Sequence, residues 1–161
     1  MAGRTLVYDT EYQTVSAAQD LLELLLASGQ TAKLLTARIM QKSDEASTEA
    51  ELLDVAVKRA SGAFTSGSGG STATVVKYGS STMQASGLTS AERNNTTQAS
   101  GGTIETLWPG SFNVLAGEWE FTPTPELQFT VAENEAVILS LEAPADALTL
   151  RAIIVLEIIA G

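Results

Sequence analysis

The stretch that decides the fold is Leu148-Thr149-Leu150-Arg151-Ala152-Ile153-Ile154-Val155-Leu156-Glu157-Ile158-Ile159. Leu148, Leu150, Ala152, Ile154, Leu156 and Ile158 fall on every second position, so an extended chain presents them on one face. Ile153 and Val155 fall on the other face, between Arg151 and Glu157. The middle of this strand is expected to be buried on both sides, and its ends less so. Just upstream, Val137, Leu139 and Leu141 alternate with Ala136, Ile138 and Ser140, and Leu127, Phe129 and Val131 alternate with Gln128 and Thr130. The last third of the chain therefore predicts three consecutive strands, read as a C-terminal meander.

The same period of two recurs toward the N-terminus. In residues 4–14, Leu6, Tyr8 and Tyr12 share a face opposite Thr5, Val7, Asp9 and Glu11. In 31–41, Leu35, Ala37 and Ile39 point inward, and in 52–59, Leu53, Val55 and Val57 do so. Residues 73–78 form a short strand. Residues 103–108 form another, stopped by Pro109-Gly110. Residues 112–115 and 118–121 flank Ala116-Gly117 and suggest a hairpin, and Thr122-Pro123-Thr124-Pro125 is extended because each residue before Pro is pushed out of the helical region. Residues 42–51 read as a solvated acidic loop, and 60–72 and 79–102 as long Gly/Ser/Thr-rich loops.

Residues 16–29 carry two readings. As a helix, Ser16 caps, Gln19 completes a capping box and Gly29 stops it. As a strand, Leu22, Leu24 and Leu26 face inward, and Leu21, Glu23 and Leu25 outward. Leucine favours the helix locally, while the β-rich surroundings favour the strand. The pattern as a whole predicts an all-β fold. It is a two-sheet antiparallel sandwich of jelly-roll type, with eight to ten strands and at most one short helix. It forms a single domain over residues 1–161, with 1–15 a strand able to extend as an arm.

At 161 residues the chain can bury roughly 70% of its unfolded surface. Nine Lys and Arg stand against nineteen Asp and Glu, a net charge of −10. The basic residues form no run, which argues against nucleic acid and against an anionic membrane as partners. Cysteine and histidine are both absent, which removes disulfides, thiolate metal sites, the usual zinc ligand and the commonest general base. Met1-Ala2-Gly3-Arg4 leads straight into the first alternating segment with no apolar leader, and no apolar run reaches membrane-spanning length.

The motifs that could carry chemistry read as structural. Ser66-Gly67-Ser68-Gly69-Gly70-Ser71 has the composition of a phosphate loop but lacks its Lys-Ser/Thr pair, and is expected to be a flexible connector. Asp44, Glu45, Glu49, Glu51 and Asp54 lack calcium-loop spacing. Glu105, Glu118, Glu120 and Glu133 read as strand-surface carboxylates rather than a glycosidase pair. A Ser-His-Asp triad is impossible, and no Ser-x-x-Lys spacing is present. Asn94-Asn95-Thr96-Thr97 holds two overlapping sequons whose expected role is to fix a turn. Trp108, Phe112, Trp119 and Phe121 read as core or subunit contact, with a carbohydrate platform as the alternative. The expectation is a protein that is not an enzyme, with no catalytic residue, metal or cofactor.

Seven segments carry a resemblance. They are Ala17-Ala18-Gln19-Asp20-Leu21-Leu22-Glu23, Gln41-Lys42-Ser43-Asp44, Thr65-Ser66-Gly67-Ser68-Gly69-Gly70-Ser71-Thr72, Asn94-Asn95-Thr96-Thr97-Gln98-Ala99-Ser100, Phe112-Asn113-Val114, Pro123-Thr124-Pro125-Glu126 and Ala143-Pro144-Ala145-Asp146-Ala147-Leu148-Thr149. In order and approximate spacing they resemble small proteins of tailed bacteriophages and of prophage-bearing bacteria. These are identified as head decoration (cement) proteins of jelly-roll type. The resemblance implies a virion structural protein, made in the host bacterial cytoplasm and bound to the outer surface of the capsid. The implied partners are the major capsid protein and further copies of itself as a homotrimer. A tail or fibre-associated adhesion module is the alternative. It also tips residues 19–26 toward a strand, although 21–26 is more leucine-rich than that pattern. The residues assigned to an oligomer or capsid interface are Leu6, Tyr8, Tyr12, Phe64, Tyr78, Trp108, Ile153 and Val155.

Overall fold

A computed structural model describes residues 4–42, 51–80, 82–84 and 87–160. They form thirteen strands: β1 (Arg4–Asp9), β2 (Gln13–Val15), β3 (Gln19–Leu26), β4 (Thr31–Gln41), β5 (Leu52–Thr65), β6 (Ser71–Thr72), β7 (Thr74–Lys77), β8 (Leu88–Asn95), β9 (Ser100–Asn113), β10 (Trp119–Phe121), β11 (Thr130–Val131), β12 (Ala136–Leu141) and β13 (Leu148–Ala160). No helix occurs among the described residues.

Two antiparallel sheets result. The first has the order β10-β4-β13-β1-β7, with β2 and β11 extending it, and the second has the order β6-β8-β3-β12-β5-β9. The pairing is nested: β5 with β9, β4 with β10, β3 with β12 and β1 with β13. Alternate pairs fall in alternate sheets, which is the wrapping of a jelly roll. The chain between β5 and β9 adds β7 to one sheet edge and β6 and β8 to the other.

The side chains that alternate inward explain why the sheets stack. Leu150, Ala152, Ile154 and Leu156 of β13 are at most 1% exposed, and they meet Leu22, Leu24, Leu53, Val57 and Leu139 of the second sheet in one core. Within residues 16–29 the strand reading holds for Gln19–Leu26, and Leu21, read as outward, is buried in the core instead. Leu22, Leu24 and Leu26 face that core, while Leu25 packs on a second cluster with Ala60, Ala136, Ile138, Phe64, Ala99 and Ile104. A helix could bury only one stripe of this leucine-rich segment, whereas a central strand buries both faces. Gly29 serves the turn into β4 at φ 75°, with Gln30 N–H donating to Ala27 O at 3.1 Å.

The second cluster exists because the β5–β9 hairpin bends. Its register shifts between Ser61 and Phe64, where Gly62, Gly101 and Gly102 all take positive φ. A Cβ on Gly102 would lie 2.5 Å from Ser61 O and 2.7 Å from Phe64 N, so the bend needs glycine there. Beyond the bend the hairpin tip covers the outer face of the second sheet. That cover, supplied by the chain itself, is why β12 is buried at all six positions.

Several expectations need correction. The last three strands are not a meander, since β11 and β13 lie in one sheet and β12 in the other. The first of them is only Thr130–Val131, and Leu127 is 62% exposed. Residues 79–102 are not one loop: they hold all of β8 and the start of β9. β8 escaped because its side chains are mostly polar and only Leu88 and Ala91 pack on the core. Residues 60–72 likewise contain the end of β5 and all of β6. Pro109 does not stop β9, because β9 is an edge strand whose outer side needs no N–H donor. Residues 112–121 are not a hairpin. The turn there, with Ala116 N–H donating to Asn113 O at 3.1 Å, carries the chain to β10, which pairs with β4. Leu35 is not inward, since the β4–β13 register shifts around it and Leu34 and Ala37 take the buried places. Residues 4–15 are no free arm, because β1 and β2 both pair with β13. The acidic stretch with Asp44, Glu45 and Glu49 lies outside the described residues.

Candidate functional site

The outward face of the first sheet carries an apolar patch built by register. Val76 of β7, Val7 of β1 and Val155 of β13 are successive cross-strand partners. Ile153 lies two residues along from Val155, opposite Arg38 of β4. Tyr78 follows β7, with its N–H donating to Thr5 O at 3.1 Å. The even positions of β13 are buried in the core, so Ile153 and Val155 project the other way and are half-buried. Val76 is 49% exposed and Tyr78 is 72% exposed.

Ion pairs border this patch. Arg151 pairs with Asp9, its Nε lying 2.9 Å from Asp9 Oδ1, and Arg38 pairs with Glu120 at 2.9 Å. The guanidinium of Arg151 and the ammonium of Lys42 lie 5.7 and 5.3 Å from the centre of the Tyr12 ring. Burial pushes the Asp9 carboxyl up, but hydrogen bonds from Arg151 and Glu11 N–H, with the Arg151 charge, bring it below the usual range. An apolar centre with a paired, polar rim is the anatomy of a protein contact.

The assigned interface residues do not form one surface. Tyr12, Tyr78, Ile153 and Val155 belong to this side of the first sheet. Leu6 and Tyr8 do not: they are 0% and 1% exposed, because β1 turns them inward against β13 and the second sheet. Burial pushes the Tyr8 hydroxyl up to about 12, against a smaller opposing effect from Arg4. Phe64 is in the second cluster, on the far side of the sandwich. Trp108 is on the edge strand β9, 43% exposed, and stacks on Phe121 with ring centres 4.6 Å apart. Val7 and Val76 complete the patch and were missed. Their signal was present in the alternation that set Val7 opposite Leu6 and Tyr8.

Three of the four carboxylates singled out in the sequence are engaged separately. Glu105 pairs with Arg59 at 2.5 Å, Glu120 pairs with Arg38, and Glu133 accepts from Gly29 N–H (2.6 Å) and Ser28 Oγ (3.0 Å). The glycine stretch is not a loose connector. Ser68 and Thr97 exchange both main-chain hydrogen bonds, at 2.9 and 3.0 Å, so the two Gly/Ser/Thr-rich motifs pack on each other. Asn94 takes φ 55° and its Oδ1 accepts from Gln19 Nε2 at 3.1 Å, so it fixes the turn beside that contact.

No protein-family model, no curated protein and no solved structure matches this chain. The all-β sandwich rests on the pairing described above.

Proposed function

We propose that this protein is a structural component of a bacteriophage virion that binds the outside of the capsid and stabilises it, with three copies associating on the shell. The observation that carries this reading is the apolar patch of Val7, Val76, Tyr78, Ile153 and Val155, rimmed by ion pairs, on one outer face of a doubly cored sandwich. A patch of this kind suits a protein neighbour better than a small ligand. A net charge of −10 keeps such a body soluble and indifferent to DNA. Two of the seven segments that resemble decoration proteins, 65–72 and 94–100, also meet in space, at the Ser68–Thr97 contact.

The test is mass and capsid binding. Light scattering should give three chains, and the protein should co-sediment with expanded capsids of the phage that encodes it. Val155→Glu, at a half-buried outward position, should abolish trimer and capsid binding and leave a folded monomer. A wild-type monomer that ignores such capsids ends the proposal. The exposed Trp108 stacked on Phe121 favours a second reading, an adhesion module of the tail or fibre. Quenching of tryptophan fluorescence by host polysaccharide would favour that reading.

A further inference from the structure

A strand at the end of a sheet offers main-chain groups to any further strand, so natural sheets guard their ends. Among the described residues the first sheet ends at β7 and at the β10–β11 side, and the second at β6 and β9. β6 and β11 have two residues each, and β10 has three with the charge of Glu120 in its middle. β9 is long, but Pro109 lacks a donor, Glu105 adds a charge, and the register with β5 shifts between Val57 and Lys58. β7 is guarded less. Thr74-Val75-Val76-Lys77 is mostly β-branched, holds no proline and pairs with β1 in unbroken register. Both of its faces are open: Val75 is 36% and Val76 49% exposed, and Tyr78 follows at 72%.

Tyr78 N–H donates to Thr5 O at 3.1 Å, so Tyr78 turns its main chain toward β1. In an antiparallel ladder these directions alternate. Val76 and Thr74 therefore also turn toward β1, and Val75 and Lys77 turn toward the open edge. A second copy of the strand, antiparallel about a two-fold axis, has few registers to choose from. With the axis at Val75, Lys77 would need Ala73 of the other chain, whose N–H is already given to Ala91 O at 2.9 Å. With the axis at Lys77, two lysines would stand opposite each other, which destabilises a sheet. With the axis at Val76, Val75 of each chain meets Lys77 of the other, Thr74 meets Tyr78, and no like charges are opposed. The cross-strand row Val155, Val7, Val76 then continues into the other chain as Val76, Val7, Val155. Charge permits the approach as well. On a body of net charge −10, residues 73–79 carry no carboxylate, and Glu11, which accepts from Thr74 Oγ1 at 3.0 Å, is paired with Arg93.

We infer that β7 is a docking edge for a second copy of this chain, paired antiparallel about a two-fold axis at Val76. The contact is lateral to the apolar patch and leaves the outward face of the first sheet open, so edge and face can be occupied together. A strand this short makes few main-chain bonds, so the pairing is weak in dilute solution and strengthens where copies are held side by side. If three copies associate on a shell, the edge ties a copy of one trimer to a copy of the next. The inference does not depend on capsid binding.

The chain has no cysteine, so a single introduced cysteine reports the register directly. Residues on the axis form a non-hydrogen-bonded pair with Cα atoms about 4.5 Å apart, within the span of a disulfide. The two Val75 sites stand two residues out of register, beyond the roughly 7 Å limit. Under mild oxidation the full chain with Val76→Cys should give a disulfide-linked two-chain species on non-reducing gels, about tenfold more than Val75→Cys at the same concentration. Adding Val75→Pro to Val76→Cys removes an N–H aimed at the open edge and spares the bonds to β1, so the cross-link should fall while circular dichroism stays that of the folded chain. If that double variant does not fold, the comparison of the two cysteine sites decides. Equal cross-linking at the two sites would mean random collision and overturns the inference, as does no cross-link at Val76→Cys or one that Val75→Pro leaves intact in a folded chain. A wild-type chain that ignores capsids, while Val76→Cys cross-links in register, loses the capsid reading alone.

Discussion

Asp20 and Asp9 show how placement sets the behaviour of one side chain. Asp20, on β3, is 2% exposed, and burial pushes its carboxyl up to about 6 although Ala99 N–H donates to it at 2.7 Å. An unfolded aspartate titrates near ~3.9, so between pH 4 and 6 the folded chain holds the proton that the unfolded chain releases. The contribution of Asp20 to stability is therefore full below about pH 4 and is lost as pH rises to about 6. Asp20→Asn should raise stability at pH 7 by up to about 3 kcal/mol and leave it unchanged near pH 4, as read by melting across that range. A pH slope identical to wild type would contradict the assignment. Asp9 runs the other way. Its lowered carboxyl stabilises the fold above the ordinary carboxylate range, and that contribution fades as pH falls. Neither behaviour was legible in the sequence, because an aspartate beside leucines and one beside a threonine look alike until their hydrogen-bond partners are known. The same holds for Glu23, whose partner Asn95 comes from another strand.

At the scale of elements, the strands with clean alternation were legible and the others were not. β12 and β13 carry the signal because each packs on the core, so their bounds follow from Val137 and Leu148 onward. Ile154 of β13 is fully buried between Tyr8 of β1 and Ala37 of β4. Ile154→Asp should abolish folding, since an unpaired buried carboxylate costs several kcal/mol. Wild-type-like melting by circular dichroism would refute that placement. β8 lay hidden because polar side chains suffice where only main-chain pairing holds a strand. β9 was cut short at Pro109 because a proline rules out a central strand but not an edge, and nothing local says which strand is the edge. Gly102 sits where the β5–β9 hairpin bends at φ 57°. Gly102→Ala should cost about 1–3 kcal/mol, visible as a lowered denaturation midpoint, because both the conformation and the space exclude a Cβ. A midpoint within error of wild type would mean that the bend is relaxed.

For the whole molecule, periodicity was enough to give two stacked sheets, since enough strands were seen to require them. It could not assign strands to sheets, so β11 to β13 were read as neighbours when the roll sends β12 to the other side. In the second sheet, burial on both faces comes from the chain's own hairpin tip, while Ile153 and Val155 stay half-open. The nested pairing has a consequence for the order of folding. β5 and β9 are joined by the shortest connection of the four pairs, and β1 and β13 by the longest. Closing a loop costs entropy before any contact repays it, so the roll should zip from the inside out, with refolding in milliseconds to seconds or slower. Val57→Ala, in the innermost pair, should then slow refolding, while Ile158→Ala, in the outermost, should mainly speed unfolding. Stopped-flow tryptophan fluorescence distinguishes the two, and the reverse pattern would mean that the chain closes its ends first.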